Sequence, residues 1–315
     1  MGRLIGVLPT YRRSQILVET LRRLGEQERA LDVLIVVDNE GNPDTEAAVR
    51  QAVLPAEYIR APENLGCAGG IELGMRVALE RASEEDWIVV LDDDDPPRFR
   101  DAFARLEQMA DELAVTDSRL AAVGISGNGF DWRRGRIRRI PDELLTGPVR
   151  VEHLAGNQLP MYRAEVIRRE GPSEGALFFG FDDLELGLRL TRAGYSLYGH
   201  GSMWMAGRRS TGRLGRTLRP DHKLPSLEWR RYYSLRNLIF LLRRFDHRLA
   251  AVRITLLAGL GKPIVGMALD PGLALGHLRL NARACFDAWT GRMGRRVEPD
   301  GGVRSHKALP RPTVG

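Results

Sequence analysis

Cysteine is scarce in this chain. Among 315 residues there are two, Cys67 and Cys285, in unrelated contexts, with no CxxC and no Cys/His metal spacing. That excludes a disulfide scaffold and a thiolate metal site, and a reduced compartment is the expectation. Lysine is rarer still for a basic protein. Lys223, Lys262 and Lys307 are the only three, so 44 of the 47 cationic residues are arginines. The start, MGRLIGVLPTYRR, reads as a buried strand and a turn with no signal-peptide layout. The most apolar late stretch, residues 254–278, is broken by Lys262-Pro263 and Asp270-Pro271, leaving no uninterrupted apolar span of transmembrane length. Neither a GxxxxGK[ST] loop nor a Gly-rich fingerprint after the first strand is present. That strand runs into Pro9-Thr10-Tyr11-Arg12-Arg13.

The composition that remains is globular: 43% hydrophobic and 28% charged, enough chain for one large domain and an appendage. The charge is segregated. Residues 1–200 carry 25 Lys+Arg against 34 Asp+Glu, a net of −9, whereas residues 201–315 carry 22 against 7, a net of +15. A basic C-terminal part points to an anionic partner such as phospholipid headgroups, a lipid-linked phosphate or nucleic acid.

The first half alternates short apolar runs with amphipathic stretches. Strands are expected at 4–8, 33–37, 57–60, 87–91 and 120–125, and helices at 14–28, 44–53, 70–82 and 99–113. Continuous apolar strands such as VLIVV and WIVVL between helices predict an α/β fold with a mostly parallel sheet covered on both faces. Residues 127–150 read as a surface loop or hairpin. Helix 182–194 and an extended run at 195–198 follow. Residues 207–226 read as a linker, and helical stretches are expected at 227–245, 249–269 and 272–292. The expected division is a nucleotide-binding catalytic domain over 1–215 and a basic helical region over 216–315.

Four segments carry chemistry. Asp92-Asp93-Asp94-Asp95 ends the WIVVL strand, and ligands of open parallel sheets bind at the carboxyl ends of strands. Adjacent carboxylates repel, and an oxygen-only ligand set suits Mg²⁺ or Mn²⁺ bridging a diphosphate. Asp38-Asn39 ends another buried strand, where an acceptor suits a nucleobase N–H or a ribose hydroxyl; the same pair also commonly starts a turn. Asn64 to Gly70 (NLGCAGG) opens a helix, with glycines that either cradle phosphate or permit close packing. Phe178 to Arg189 (FFGFDDLELGLR) sets paired acids at a helix start. They read as dipole-favoured caps or as a general base in an apolar wall.

In order and spacing these four sites, from about residue 4 to about residue 240, resemble the family 2 glycosyltransferases, inverting enzymes of the Rossmann-like GT-A fold. Thr10-Tyr11-Arg12-Arg13 is similar to the family's TYNR start, with Arg12 at the usual Asn. Val37-Asp38-Asn39 resembles its VDN base-contacting site, and Asn64 to Gly70 its NxGGAGG segment, with Cys67 at a glycine. Leu91 to Asp94 resembles its DxD metal element, and Asp182-Asp183-Leu184-Glu185 its acid–acid element, whose second acid is the base. Tyr232-Tyr233-Ser234-Leu235-Arg236-Asn237 is similar to the YYxxRN of bacterial polysaccharide members.

Galactofuranosyl- and rhamnosyltransferases of bacterial cell-wall glycans look nearest. The resemblance implies a UDP- or dTDP-sugar donor held by Thr10, Tyr11, Arg12, Asp38, Asn64, Gly69, Gly70, Asp92 and Asp93. Mn²⁺ or Mg²⁺ would sit on Asp92 and Asp94. Asp183 would be the base, with Asp182 and Glu185 in reserve, and the acceptor a glycan or lipid-linked glycan. Such enzymes often place a metal-binding histidine after a Trp. Here the nearest is His200, four residues before Trp204. Trp132 and Trp204 are candidate sugar-stacking surfaces. An anionic membrane surface is an expected partner, nucleic acid is not, and the expected location is cytoplasmic, at the inner face of the cell membrane. The alternatives are a sugar-phosphate nucleotidyltransferase, or a membrane-surface protein with a degenerate transferase domain.

Overall fold

A computed structural model of the chain describes residues 2–215, 228–266 and 271–298. Eleven strands lie among these residues: β1 (Leu4–Thr10), β2 (Val33–Asp38), β3 (Ala56–Arg60), β4 (Trp87–Val90), β5 (Leu120–Gly124), β6 (Gly127–Asp131), β7 (Arg136–Arg138), β8 (Pro148–Val151), β9 (His153–Leu154), β10 (Met161–Arg163) and β11 (Ser196–His200). Eight form one sheet, in the order β3-β2-β1-β4-β10-β5-β11-β8. Strands β1 to β5 and β11 run parallel, while β10 is antiparallel between β4 and β5, and β8 is an antiparallel edge. Strands β6 and β7, the hairpin within the expected 127–150 region, form a small second sheet with β9, which lies beyond it.

The alternation of β1 explains the layering. Leu4 and Leu8 face one way, with Leu34 and Val36, against helices α1 (Ser14–Gly25), α2 (Pro43–Arg50) and α4 (Ala102–Thr116). Ile5 and Val7 face the other way with Ile35 and Val37, against α3 (Gly66–Arg81) and α5 (Ala164–Glu170). Sheet faces buried on both sides favour such unbroken apolar strands, and each fully buried aliphatic contributes about 1.5–3 kcal/mol.

Helix α6 (Asp182–Arg192) is wedged between two apolar clusters: Leu186 and Leu190 join the sheet side, while Leu184 and Leu188 join a third cluster. That third cluster is built from the C-terminal helices α8 (Glu228–Arg244), α9 (Arg248–Ile254) and α11 (Pro271–Thr290). Between α9 and α11 come a wide helical turn, Thr255–Gly261, and the short α10 (Lys262–Gly266).

Two expectations change. Residues 207–210 belong to helix α7 (Gly201–Ser210), not to a linker; the buried Met203 and Trp204 hold that helix to the sheet, and residues 216–226 lie outside the described residues. The helix expected over 249–269 is interrupted by the wide turn, and residues 267–269 lie outside the described residues. No helix among the described residues is long and apolar enough to cross a membrane.

Candidate active site

The carboxyl ends of β1 and β4 and the amino end of α6 converge on one acidic cleft. Asp92, Asp93 and Asp94 follow β4, and each offers a carboxylate oxygen within 4.8 Å of the others. Asp92 is half-buried, Asp93 buried and Asp94 exposed. Asp93 is bonded internally, accepting from the Thr10 hydroxyl at 2.8 Å and from Arg13 Nη1 at 2.7 Å. Arg13 also reaches Asp94 at 2.6 Å. Among the described residues Asp92 has no such cation at contact distance. Its recessed position, then Asp94 and Asp93, push its carboxyl up to about 6. An oxygen-only set with Asp92 and Asp94 presented on one side fits a divalent cation.

Across the cleft, the start of α6 is held in an unusual backbone. Phe178 (φ +62°), Gly180 (φ +74°) and Phe181 (φ +67°) all lie in the left-handed region, which is costly for the two phenylalanines. Asp183 is aimed by two backbone donors, Gly156 N–H at 3.0 Å and Leu184 N–H at 2.7 Å. Asp182 is pushed up to about 7 by desolvation in the recess and then by the carboxylates of Asp183, Asp92 and Glu185. The acidic element of α6 and that of β4 therefore share one electrostatic environment, although they lie 90 residues apart in the chain. Cys67, at the start of α3, sits among them. It is accessible to solvent yet recessed, and desolvation by the surrounding protein, followed by Asp182, Asp92, Asp93 and Asp183, raises its thiol well above the ordinary value.

Several expected site residues do other work. Glu185 is fully buried and paired with Arg189 at 2.9 Å and Arg244 at 3.5 Å, so it braces α6 and is not a reserve base. His200 ends β11, separated from β4 by β10 and β5, which puts it about 14 Å to the side at ordinary strand spacing. Its ring lies by Ser202 at 3.3 Å and near Arg105, and it is not among the carboxylates. Trp204 is 6% exposed, with Arg208 over its ring at 4.9 Å. Trp132 is sandwiched in an aromatic group, stacked on His247 at 4.3 Å and edge-on to Phe130 and Phe245. Trp204 is thus buried, and one face of Trp132 is taken by His247.

Gly69 and Gly70 are buried, and packing accounts for both. A β-carbon would lie 2.7 Å from Leu65 at the first and 2.9 Å from Pro9 and Asn39 at the second. Asn64 caps the same turn, accepting from Gly66 N–H at 2.9 Å. Asp38 is fully buried and accepts from Glu40 N–H, Asn42 N–H and the Tyr58 hydroxyl, so it shapes the turn after β2 from beneath. Arg12 points outward to Glu40 at 3.0 Å and covers the Tyr11 ring.

Two contributors carried no motif, the Gly156 N–H and His153, and a third, Arg13, stood in the Thr10-Tyr11-Arg12-Arg13 turn without an assigned role. His153 is 2% exposed on β9, with Nδ1 lacking a hydrogen-bond partner, and it interacts electrostatically with Asp183. For Arg13 the Thr-Tyr-Arg-Arg turn after β1 was itself the available signal. The 151–160 segment held none.

With the cleft in place, comparison with known proteins decides the family. The family described as "Glycosyl transferase family 2" matches residues 7–167, just over half of the chain. The chain belongs to glycosyl transferase family 2. It is 32% identical over 201 residues to galactofuranosyltransferase GlfT1 of Mycolicibacterium smegmatis, covering 60% of this chain and 65% of that protein. It is also 32% identical over 206 residues to galactofuranosyltransferase GlfT1 of Mycobacterium tuberculosis, covering 60% and 64%. The match thus spans just under two thirds of those relatives' own length. Among solved structures, the mannosyltransferase PcManGT from Pyrobaculum calidifontis, in complex with GDP-Man and Mn²⁺, superposes with a TM-score of 0.53. It is 19% identical and covers 91% of this chain and 75% of that one. The family and this likeness together show the GT-A fold.

Proposed function

We propose that this chain is an inverting glycosyltransferase that moves a sugar from a nucleotide-diphosphate donor to a hydroxyl of a cell-wall, polysaccharide or lipid-linked glycan. The relatives named as galactofuranosyltransferases favour galactofuranose over rhamnose as the sugar. The observation that carries the reading is the shared field of Asp92 and Asp182: a carboxylate set suited to a metal diphosphate faces a carboxylate pair suited to proton abstraction.

In this reading Asp92 and Asp94 hold Mn²⁺ or Mg²⁺, which when bound compensates the charge of the donor's diphosphate. Asp93, fastened by Thr10 and Arg13, keeps the acidic loop in register. Tyr11 and the turn shaped by Asp38 line the base and ribose end. The acceptor oxygen attacks the anomeric carbon as the bond to the diphosphate breaks, and its proton passes to Asp183, which the Gly156 and Leu184 N–H groups aim. Asp182, whose carboxyl is raised by desolvation and then by Asp183, stands beside the base as the other acid of the pair. A lipid-linked acceptor and the basic C-terminal region together favour work at the inner face of a membrane.

Calorimetry with UDP- and dTDP-sugars, with and without Mn²⁺, tests the donor half. Metal-dependent binding of one nucleotide is expected, and binding that persists in the Asp92→Asn/Asp94→Asn variant overturns it. The anomeric configuration of the product, read by NMR, tests the single displacement; retention overturns it.

A further inference from the structure

The C-terminal helices leave one apolar stripe uncovered. Leu249 and Val252 on α9, Leu256 and Leu257 on the wide turn, and Ile264 and Val265 on α10 are between 42 and 89% exposed. They recur at helical spacing over 17 residues, a strip about 25 Å long. The opposite side of the same segment is packed: a β-carbon on the buried Gly259 would lie 2.7 Å from the Cys285 sulfur. The segment therefore has an inner face that is satisfied and an outer face that is not. Trp289 of α11 lies alongside, its indole N–H donating to the Thr255 hydroxyl at 3.0 Å, and it and Phe286 are exposed.

The charge around the strip selects its partner. Arg248 and Arg253 are exposed within it, and Arg279, Arg283 and Arg292 are exposed on and just after α11. Between residues 248 and 290 the sequence has two acids. Asp270 lies outside the described residues, and Asp287 is buried and accepts from the Tyr232 hydroxyl. An aliphatic strip edged by arginines, with aromatic side chains beside it, matches the boundary between anionic headgroups and acyl chains. The net charges of −9 before residue 200 and +15 after it would turn the molecule so that this end meets a negative surface first.

We propose that α9, the wide turn and α10 form a membrane-docking face that lies in the plane of an anionic bilayer, inserting Leu249, Leu256, Leu257, Ile264 and Val265 between headgroups. This extends the proposed function without depending on it, because lipid binding is read with no donor, metal or sugar transfer.

The test is flotation of the full chain with phosphatidylcholine vesicles, with and without phosphatidylglycerol. The unaltered protein floats with the anionic vesicles and much less with the neutral ones. Leu249→Ser/Leu256→Ser/Val265→Ser, at exposed positions where folding is undisturbed, weakens binding by about tenfold per residue. Arg248→Gln/Arg253→Gln weakens binding chiefly at low salt. Matching thermal melts of the variants and the parent establish that the fold is kept. Equal flotation of the serine variant and the parent overturns the proposal, as does failure of the parent to bind either vesicle. Sedimentation showing a dimer of the parent that the serine variant converts to monomer also overturns it, assigning the strip to a second copy of the chain.

Discussion

The side-chain amide of Asn237, on α8, lies 3.0 Å from the carbonyl oxygen of Phe179, 58 residues earlier in the chain. The same nitrogen donates to the carbonyls of Leu177 at 3.1 Å and Gly180 at 2.9 Å, while the adjacent Arg236, also fully buried, reaches Leu177 at 2.8 Å. Two buried polar side chains of the C-terminal region thus hold the turn that delivers Asp182 and Asp183, and they offset the positive φ of Phe178 and Phe181. The segment that opens α6 and the C-terminal helices are coupled through this turn.

Replacement of Asn237 by Ala removes this donor from the Phe179 and Gly180 carbonyls, while Leu177 keeps Arg236. A loss of about 3 kcal/mol in stability is expected, seen as a lowered Tm. Transfer should fall more than donor binding, because the metal side of the cleft does not rest on this turn. Equal losses in both would place the effect in general unfolding.

Asp183→Asn keeps one of the two acceptors, since its NH2 cannot accept from the second backbone N–H, and on the proposed function it removes the base. Donor binding by calorimetry should be retained while the transfer rate drops about a hundred- to ten-thousand-fold. Full activity in this variant removes Asp183 from the chemistry.

The carboxyl of Asp182 is raised to about 7, so its folded form binds a proton that the unfolded chain releases. Its favourable contribution is complete below the ordinary carboxyl range and is lost as pH rises through about 7. Asp182→Asn mimics the protonated form. The variant and the parent should therefore melt together near pH 4, and the variant should melt a few degrees higher at pH 8 without metal. Taking the difference cancels the histidines His153, His200 and His247, whose lowered pKa values act in the same pH range with the opposite sign. A constant difference at all pH values would contradict this environment for Asp182.

Cys67 is the accessible thiol of the two, since Cys285 is buried. With its pKa raised by desolvation and by four carboxylates, it should react with iodoacetamide several-fold more slowly than an ordinary exposed thiol at pH 8. Mn²⁺ in the cleft should quicken the reaction by compensating those carboxylates, and donor nucleotide should block it. Mass spectrometry of the labelled chain reads all three. Indifference of the rate to metal and nucleotide would separate Cys67 from the donor site.

Much of this was legible from local pattern. Runs such as VLIVV and WIVV are too apolar to sit anywhere but inside a covered sheet, and an acidic run at the end of such a strand must emerge at the ligand-binding rim. The chain by itself therefore determined the sheet, the acidic element after β4 and the paired acids opening α6. Which neighbouring groups share that cleft was decided by contacts between distant segments. Glu185 lies one helical turn from Asp182, yet Arg189 and Arg244 claim it, and His200 lies on the same rim as Asp92 but two intervening strands away. Trp132 is met by Phe245 and His247 in the turn between α8 and α9, and Gly156 meets Asp183 across 27 residues. Period and composition specify which side of an element is buried. The partner it is buried against depends on strand order and helix packing, which only the tertiary structure supplies.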